Sequence, residues 1–387
     1  MIDNSPYEGL LGRTLIWLIG FLVVSAGYLY AFPQPNILYA VVVLLHATGG
    51  VLAAVLLVPF LIRFFRRKNS LAGIGWILIA AGAVLGLILI KTGTPRAEWN
   101  WLYAHMAISL AGVGLLVADM FGKRDASLGA VALRVAVCLA LLAGVGYGAN
   151  YIRESWQTRL RIKNPVMPPD TMDGEGDGPN GAFFPSSAQV YGNQKIPSKF
   201  FMESDSCKRC HQDIYNQWSS SAHHFSSFNN QWYRKAIEYM QDTIGTRPSK
   251  WCGGCHDPAV LYSGLMDTPI RKIVHRPESQ AGLGCMMCHS IADVKSTMGQ
   301  ADFYLEYPKL HELAATKNPL LRSLHDFLIQ LNPEPHRRVF LKPFMRAQTA
   351  EFCSTCHKVH LDVPVNSYRW VRGFNEYDNW QASGVSG

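Results

Sequence analysis

Charge is scarce in this chain of 387 residues. Asp, Glu, Lys and Arg make up 17% and hydrophobic residues 49%, an apolar and charge-poor balance for a soluble protein. Strand-period alternation is equally rare, which argues against a sheet-based fold. Cysteine is present but not to spare: eight of the nine fall in pairs spaced by two residues, so no disulfide framework is left to propose. The formal charge of +8 invites a nucleic-acid reading. Much of the basic charge, as at Arg63, Arg66, Arg67 and Lys68, sits beside long apolar runs. Membrane flanking accounts for it more economically, and no nucleic acid is expected as a partner.

What is present is one unit written four times: Cys207-Lys-Arg-Cys210-His211, Cys252-Gly-Gly-Cys255-His256, Cys285-Met-Met-Cys288-His289 and Cys353-Ser-Thr-Cys356-His357. Two thiols spaced by two residues reach the two vinyl groups on one edge of a porphyrin, and the following His lies under the iron as proximal ligand. Cys-x-x-Cys also grips zinc, but zinc coordination does not ask for His immediately after the second Cys. With 13 histidines in the chain, four such placements by chance have odds of about one in a million. Four covalently bound haem c groups are expected.

The first 150 residues carry five apolar stretches near 11–31, 37–62, 71–91, 101–120 and 128–150, each long enough to cross a bilayer. Arg63, Arg66, Arg67, Lys68, Lys123 and Arg124 follow the second and fourth stretches, while the first connection is uncharged. The positive-inside rule then places the N-terminus inside and the later half outside. Arg153, Arg159, Arg161 and Lys163 run against that assignment. The expected location is a bacterial inner membrane, multi-pass, with the haem domain in the periplasm, where such domains mature. His46 and His105 lie within the second and fourth stretches, and an ionisable residue at that depth is a functional hypothesis by default. One bis-histidine haem b near the outer leaflet is the expectation, with Gly49 and Gly50 leaving room for a flat macrocycle. A quinone head-group site, or histidines bonded to neighbouring helices, are its rivals.

Residues 151–206 are rich in Pro, Gly, Ser and charge and read as a surface linker lying on the haem domain. From 207 onward the motifs come at intervals of 45, 33 and 68 residues. So little chain per haem leaves the porphyrins to supply much of the buried surface. The expected architecture is a membrane α-helical bundle over 1–150, a linker over 151–206, and a mainly α/irregular tetrahaem domain over 207–387. Seven further histidines, His223, His224, His275, His311, His325, His336 and His360, are available as sixth ligands, and four irons need at most four. That surplus favours closed bis-histidine haems over an open catalytic iron. Met286 and Met287 read as packing residues.

Cys207–His211 followed by Trp218-Ser-Ser-Ser221-Ala-His223 resembles the multihaem cytochromes of the c-552/c-554 type, in which a haem motif is followed by Trp-x-x-Ser-x-His. The resemblance spans about 200–387. It implies closely stacked haems passing electrons between partners, and a distal-ligand role for His223, with His224 as the adjacent alternative. A second Trp-x-x-Ser pattern begins at Trp380 and stops before any His, which suggests that the natural chain continues or that a partner completes it. The expected function is electron transfer from the membrane, from quinol or haem b, to a periplasmic acceptor. The alternative is reduction of nitrogen or sulfur oxides at an open haem, which needs a five-coordinate iron with acid–base groups beside it. A membrane scaffold whose haems only stabilise the fold is a third reading.

Overall fold

The computed structural model describes residues 10–64, 71–120, 128–158, 162, 169–345 and 350–386. Arg66, Arg67, Lys68, Lys123, Arg124, Arg159, Arg161 and Lys163, on which the sidedness expectation drew, lie outside the described residues.

Five helices, α1 (Leu10–Ala31), α2 (Ile37–Phe64), α3 (Leu71–Thr92), α4 (Trp99–Met120) and α5 (Leu128–Thr158), are long and apolar enough to cross a membrane. Four match the expected stretches within two residues at each end. The fifth runs eight residues further than expected, from 150 to 158, and carries Arg153 past the apolar run. Small residues set the α3–α4 seam. A Cβ on Gly75 would meet the Gly112 carbonyl oxygen at 3.0 Å, one on Gly82 would meet Ser109 Oγ at 2.1 Å, and one on Gly86 would meet His105 Cε1 at 3.1 Å. Without side chains at these positions the two backbones approach closely, the usual basis of helix association in lipid.

The chain divides into two compact units that do not follow the expected boundary. One holds residues 1–156 together with 312–338; the other holds 157–311 and 339–387. The returning segment contains α10 (Pro319–Leu331), numbered after α6 (Gln212–Ser219), α7 (Gln231–Ile244), α8 (Lys250–His256) and α9 (Cys285–His289), which come before it. Leu331 is buried with Tyr39 and Val43, and Tyr28, Leu29, Ala47, Ile90 and Leu328 pack around them. Polar contacts complete the joint. The Thr94 amide donates to the Gln330 carbonyl (3.1 Å), its hydroxyl donates to the Leu331 carbonyl (2.9 Å), and Asn332 Nδ2 donates to the Tyr39 hydroxyl (2.9 Å). Gly93, at φ +77°, makes the approach possible: a Cβ there would lie 2.1 Å from the Gln330 oxygen. Glu334 ion-pairs with Arg153 at 2.8 Å. These contacts involve the α1–α2 and α3–α4 connections, so the segment sits at the end of the bundle where those loops emerge.

The second unit is built from short helices and turns around one large core. The expected surface linker contributes to that core: Ile196, Phe200 and Phe201 are at most 1% exposed, and Met172 is buried in a smaller cluster with Phe184 and Val365. Its Pro- and Gly-rich turns hide apolar residues that have no helical or strand period, which is why composition alone reads it as a loop. Strand β1 (Gln189–Val190) pairs in parallel with β3 (Phe303–Leu305), which pairs antiparallel with β2 (Ile291–Val294). A second pair, β4 (Lys358–Leu361) and β5 (Val371–Asn375), is antiparallel. β2 and β4 begin just after His289 and His357, so each fixes the chain leaving a Cys-x-x-Cys-His unit.

Candidate haem-binding site

The four motifs take helical turns. Cys207 lies in a short helix over Ser204–Lys208, α8 ends on His256, α9 is the third motif itself, and the fourth occupies Glu351–Cys353 and α12 (Ser354–His357), which follows α11 (Glu334–Phe340). In a helix, residues at i, i+3 and i+4 share one face. Both thiols and the imidazole of each motif are therefore presented together. In the second motif Gly254 is required by packing, since a Cβ there would come within 2.2 Å of Ser186 Oγ.

Three motif histidines are held through Nδ1, leaving Nε2 for a metal. His256 Nδ1 donates to the Ser226 carbonyl at 2.8 Å, His289 Nδ1 to the Phe340 carbonyl, and His357 Nδ1 pairs with Glu376 Oε2 at 2.6 Å. A bond of this kind from the remote ring nitrogen is what sets the tautomer and orientation of a metal-ligating imidazole. Tyr233 stacks on His256 at 4.5 Å and donates to the buried Asp257, which also accepts from Ser227. Burial pushes the Asp257 carboxyl up to about 7. Burial likewise holds His256 below the usual imidazole range, keeping it in the neutral form that binds metal.

The motifs lie against one another across long stretches of chain. The short helix that carries Cys207 packs on α9, where the Cys285 amide donates to Ser204 Oγ at 3.1 Å. Cys255 Sγ lies 3.9 Å from the Thr355 carbonyl. The first motif thus neighbours the third, and the second the fourth.

Of the candidate distal ligands, His223 has the most informative position. An imidazole–metal bond is about 2 Å and the ring centre lies about 1 Å beyond the nitrogen, so two imidazoles on opposite faces of one metal have centres about 6 Å apart. His223 and His357 have ring centres 6.2 Å apart, with planes at 88°. Burial, and then His357, hold the His223 ring below its ordinary pKa. The signature residues build this placement. Trp218 Nε1 donates to the Leu283 carbonyl (2.7 Å), Ser221 Oγ donates to the Trp218 carbonyl (2.8 Å), and the Leu283 amide donates to the His223 carbonyl (2.9 Å). Gly282, at φ +62°, permits the contact: a Cβ there would meet the His224 oxygen at 2.1 Å. Gly282 was not singled out in the sequence, and only the positive φ identifies its role.

The other candidates scatter. His224 Nδ1 donates to the Ser219 carbonyl at 2.9 Å, and its ring packs on Trp218. His360 is buried, bonded through Nε2 to the equally buried Glu175 and stacked near Trp370. His311 pairs with Glu203 at 2.7 Å between Phe200 and Tyr307. His275 is exposed. His325, 3.2 Å from Asp326, and His336 both belong to the membrane unit. Within the bundle, His46 Nδ1 meets Ser25 Oγ at 2.8 Å and His105 Nδ1 donates to the Gly82 carbonyl at 2.8 Å, so among the described residues the bond of each ring is made through Nδ1. Gly49 faces Leu22 and Leu18 of α1, while nothing lies within 4 Å of a Cβ on Gly50.

Residues 206–290 match the family described as cytochrome c554 and c-prime. The match covers the first three motifs and the Trp-x-x-Ser-x-His signature, and it supports a c-type cytochrome domain that binds haem covalently and transfers electrons. No curated protein and no solved structure matches the chain.

Proposed function

We propose that the protein is a membrane-anchored tetrahaem cytochrome that carries electrons between the bilayer and an acceptor in the periplasm. The observation that carries this reading is the packing of the motifs on one another: the first against the third at Ser204–Cys285, the second against the fourth at Cys255–Thr355, with His223, which follows the first motif, facing His357 of the fourth. Groups attached at these motifs would lie close to one another. Bound haem supplies reversible one-electron chemistry, and the protein's part is to hold each iron by axial ligation and to tune it. Cys207, Cys210, Cys252, Cys255, Cys285, Cys288, Cys353 and Cys356 attach the groups. His211, His256, His289 and His357 ligate them on one side, and His223 closes the fourth.

On the membrane side, His46 and His105 carry the donor end. Each is oriented through Nδ1 by a neighbouring helix, which supports a metal-ligating or quinol-bonding role for Nε2. Haem b is the occupant proposed, with quinol as electron source. A pyridine haemochrome assay on the intact membrane protein tests both parts. Four c-type haems and one b-type haem per chain are expected. Fewer than four c-type haems breaks the tetrahaem reading, and c-type absorbance alone removes the haem b. Reduction of the c haems by a quinol analogue tests the donor. A high-spin ferric signal in electron paramagnetic resonance of the oxidised protein would instead favour reduction of a nitrogen or sulfur oxide at an open iron.

A further inference from the structure

The returning helix α10 carries one apolar stripe at Leu320, Leu324, Phe327 and Leu331, spaced i, i+4, i+7 and i+11 along a single face. Its two ends have different surroundings. Leu331 is buried on Tyr39 and Val43, the side chains at the loop end of α2. Leu320, Leu324 and Phe327 are 79%, 43% and 39% exposed. Arg322 lies on another side of the helix and is exposed as well. Asn318 caps the helix by accepting from the Leu320 and Leu321 amides, and Pro319 opens the first turn, so the stripe is held on a rigid element. Thr94, in the α3–α4 connection, bonds to residues 330 and 331 and fixes the C-terminal end beside the ends of α3 and α4.

We propose that α10 is an interfacial helix, with Leu320, Leu324 and Phe327 inserted into the lipid of the leaflet at that end of the bundle. The proposal rests on the reading that the five helices span a bilayer. The observation favouring lipid over a protein occupant is continuity: the stripe that is exposed at one end is joined at the other to the mouths of the spanning helices. A helix with this pattern lies in the membrane plane with its apolar face about 5–10 Å into the headgroup–acyl boundary.

The test places an environment-sensitive fluorophore on single cysteines in the haem-loaded full chain, with Cys138→Ser to remove the background thiol. The variants Leu320→Cys, Leu324→Cys, Arg322→Cys and, as the spanning-helix reference, Leu141→Cys are reconstituted in phosphatidylcholine nanodiscs. The lipid is unlabelled or carries a nitroxide on a shallow acyl carbon. The expected result is about twofold quenching at 320, 324 and 141, and little change at 322. An unquenched label at 320 with water-like emission overturns the proposal. So does an unquenched label with blue-shifted emission, which would assign the stripe to a protein partner or a second copy. Loss of quenching at 141 as well would sink the membrane reading itself, which separates the two failures.

Discussion

In the membrane unit many of the large apolar side chains point outward. Leu10, Trp17, Val24, Leu133 and Leu141 are each at least 66% exposed, and no more than 22% of any span is buried against protein. In the cytochrome unit they point inward, around Phe200, Phe201, Tyr262, Met266, Ile270 and Phe303, all at most 1% exposed. There the surface left open carries cysteine and histidine. The first unit has helices long and apolar enough to cross a membrane, and lipid asks only for hydropathy. The second carries the match to a covalent haem-binding family, and a covalently attached haem asks for named residues at set relative positions. A substitution that is mild in one setting is therefore severe in the other.

The largest effect is expected where the attachment is covalent. Cys255→Ala removes an attachment thiol packed against the main core and lying 3.9 Å from the Thr355 carbonyl. The haem content should fall by one of four, with poor accumulation of the protein. Cys138→Ala, in α5, should leave both unchanged; equal haem content in the two variants would contradict the difference between the units. Next comes ligation. His223→Ala should convert one low-spin haem to high spin by electron paramagnetic resonance, with His224→Ala as the comparison. Gly282→Val should produce the same signal by pushing on the 223–224 backbone, and low-spin spectra in both would dissolve the His223–His357 pairing.

A smaller effect sharpens the account of the returning segment. Leu331→Ala removes the side chain that buries against Tyr39 and Val43, and truncations of this kind cost about 2–4 kcal/mol. Faster proteolysis within 312–338 at unchanged haem content is the expected readout, and unchanged cleavage would show that the joint is held elsewhere.

The smallest effect is electrostatic. Glu238, against Lys235, Arg234 and Arg271, is held down to about 2 by hydrogen bonds from Lys235 and then Arg234. Its folded-state value is below its unfolded one, so its contribution is present above about pH 4.5 and is lost as the pH falls towards about 2. Glu238→Gln should flatten acid unfolding in that window by about 1 kcal/mol or less. An unaltered acid limb would mean that the cluster contributes nothing net.

The haem motifs and the five spans were legible in the sequence because each is a local pattern. Cys207–His211 needs only its own five residues, and α3 needs only its own apolar run. The distal side was half legible. The Trp218–His223 signature pointed to His223, but not to His357 as the imidazole it faces, 134 positions further along the chain. The linker expectation for 151–206 missed the burial of Phe200 and Phe201, because they sit in a four-residue helix too short to show a period.

The Cys-x-x-Cys-His motifs and the five long apolar helices were readable from the order of residues alone, since spacing on one turn and length of an apolar run are properties of contiguous chain. Which motif neighbours which, where 312–338 returns, and why Gly93 and Gly282 must lack a side chain were decided only by the tertiary structure. Those depend on contacts between residues far apart in sequence, and no short-range pattern encodes the approach of two distant backbones.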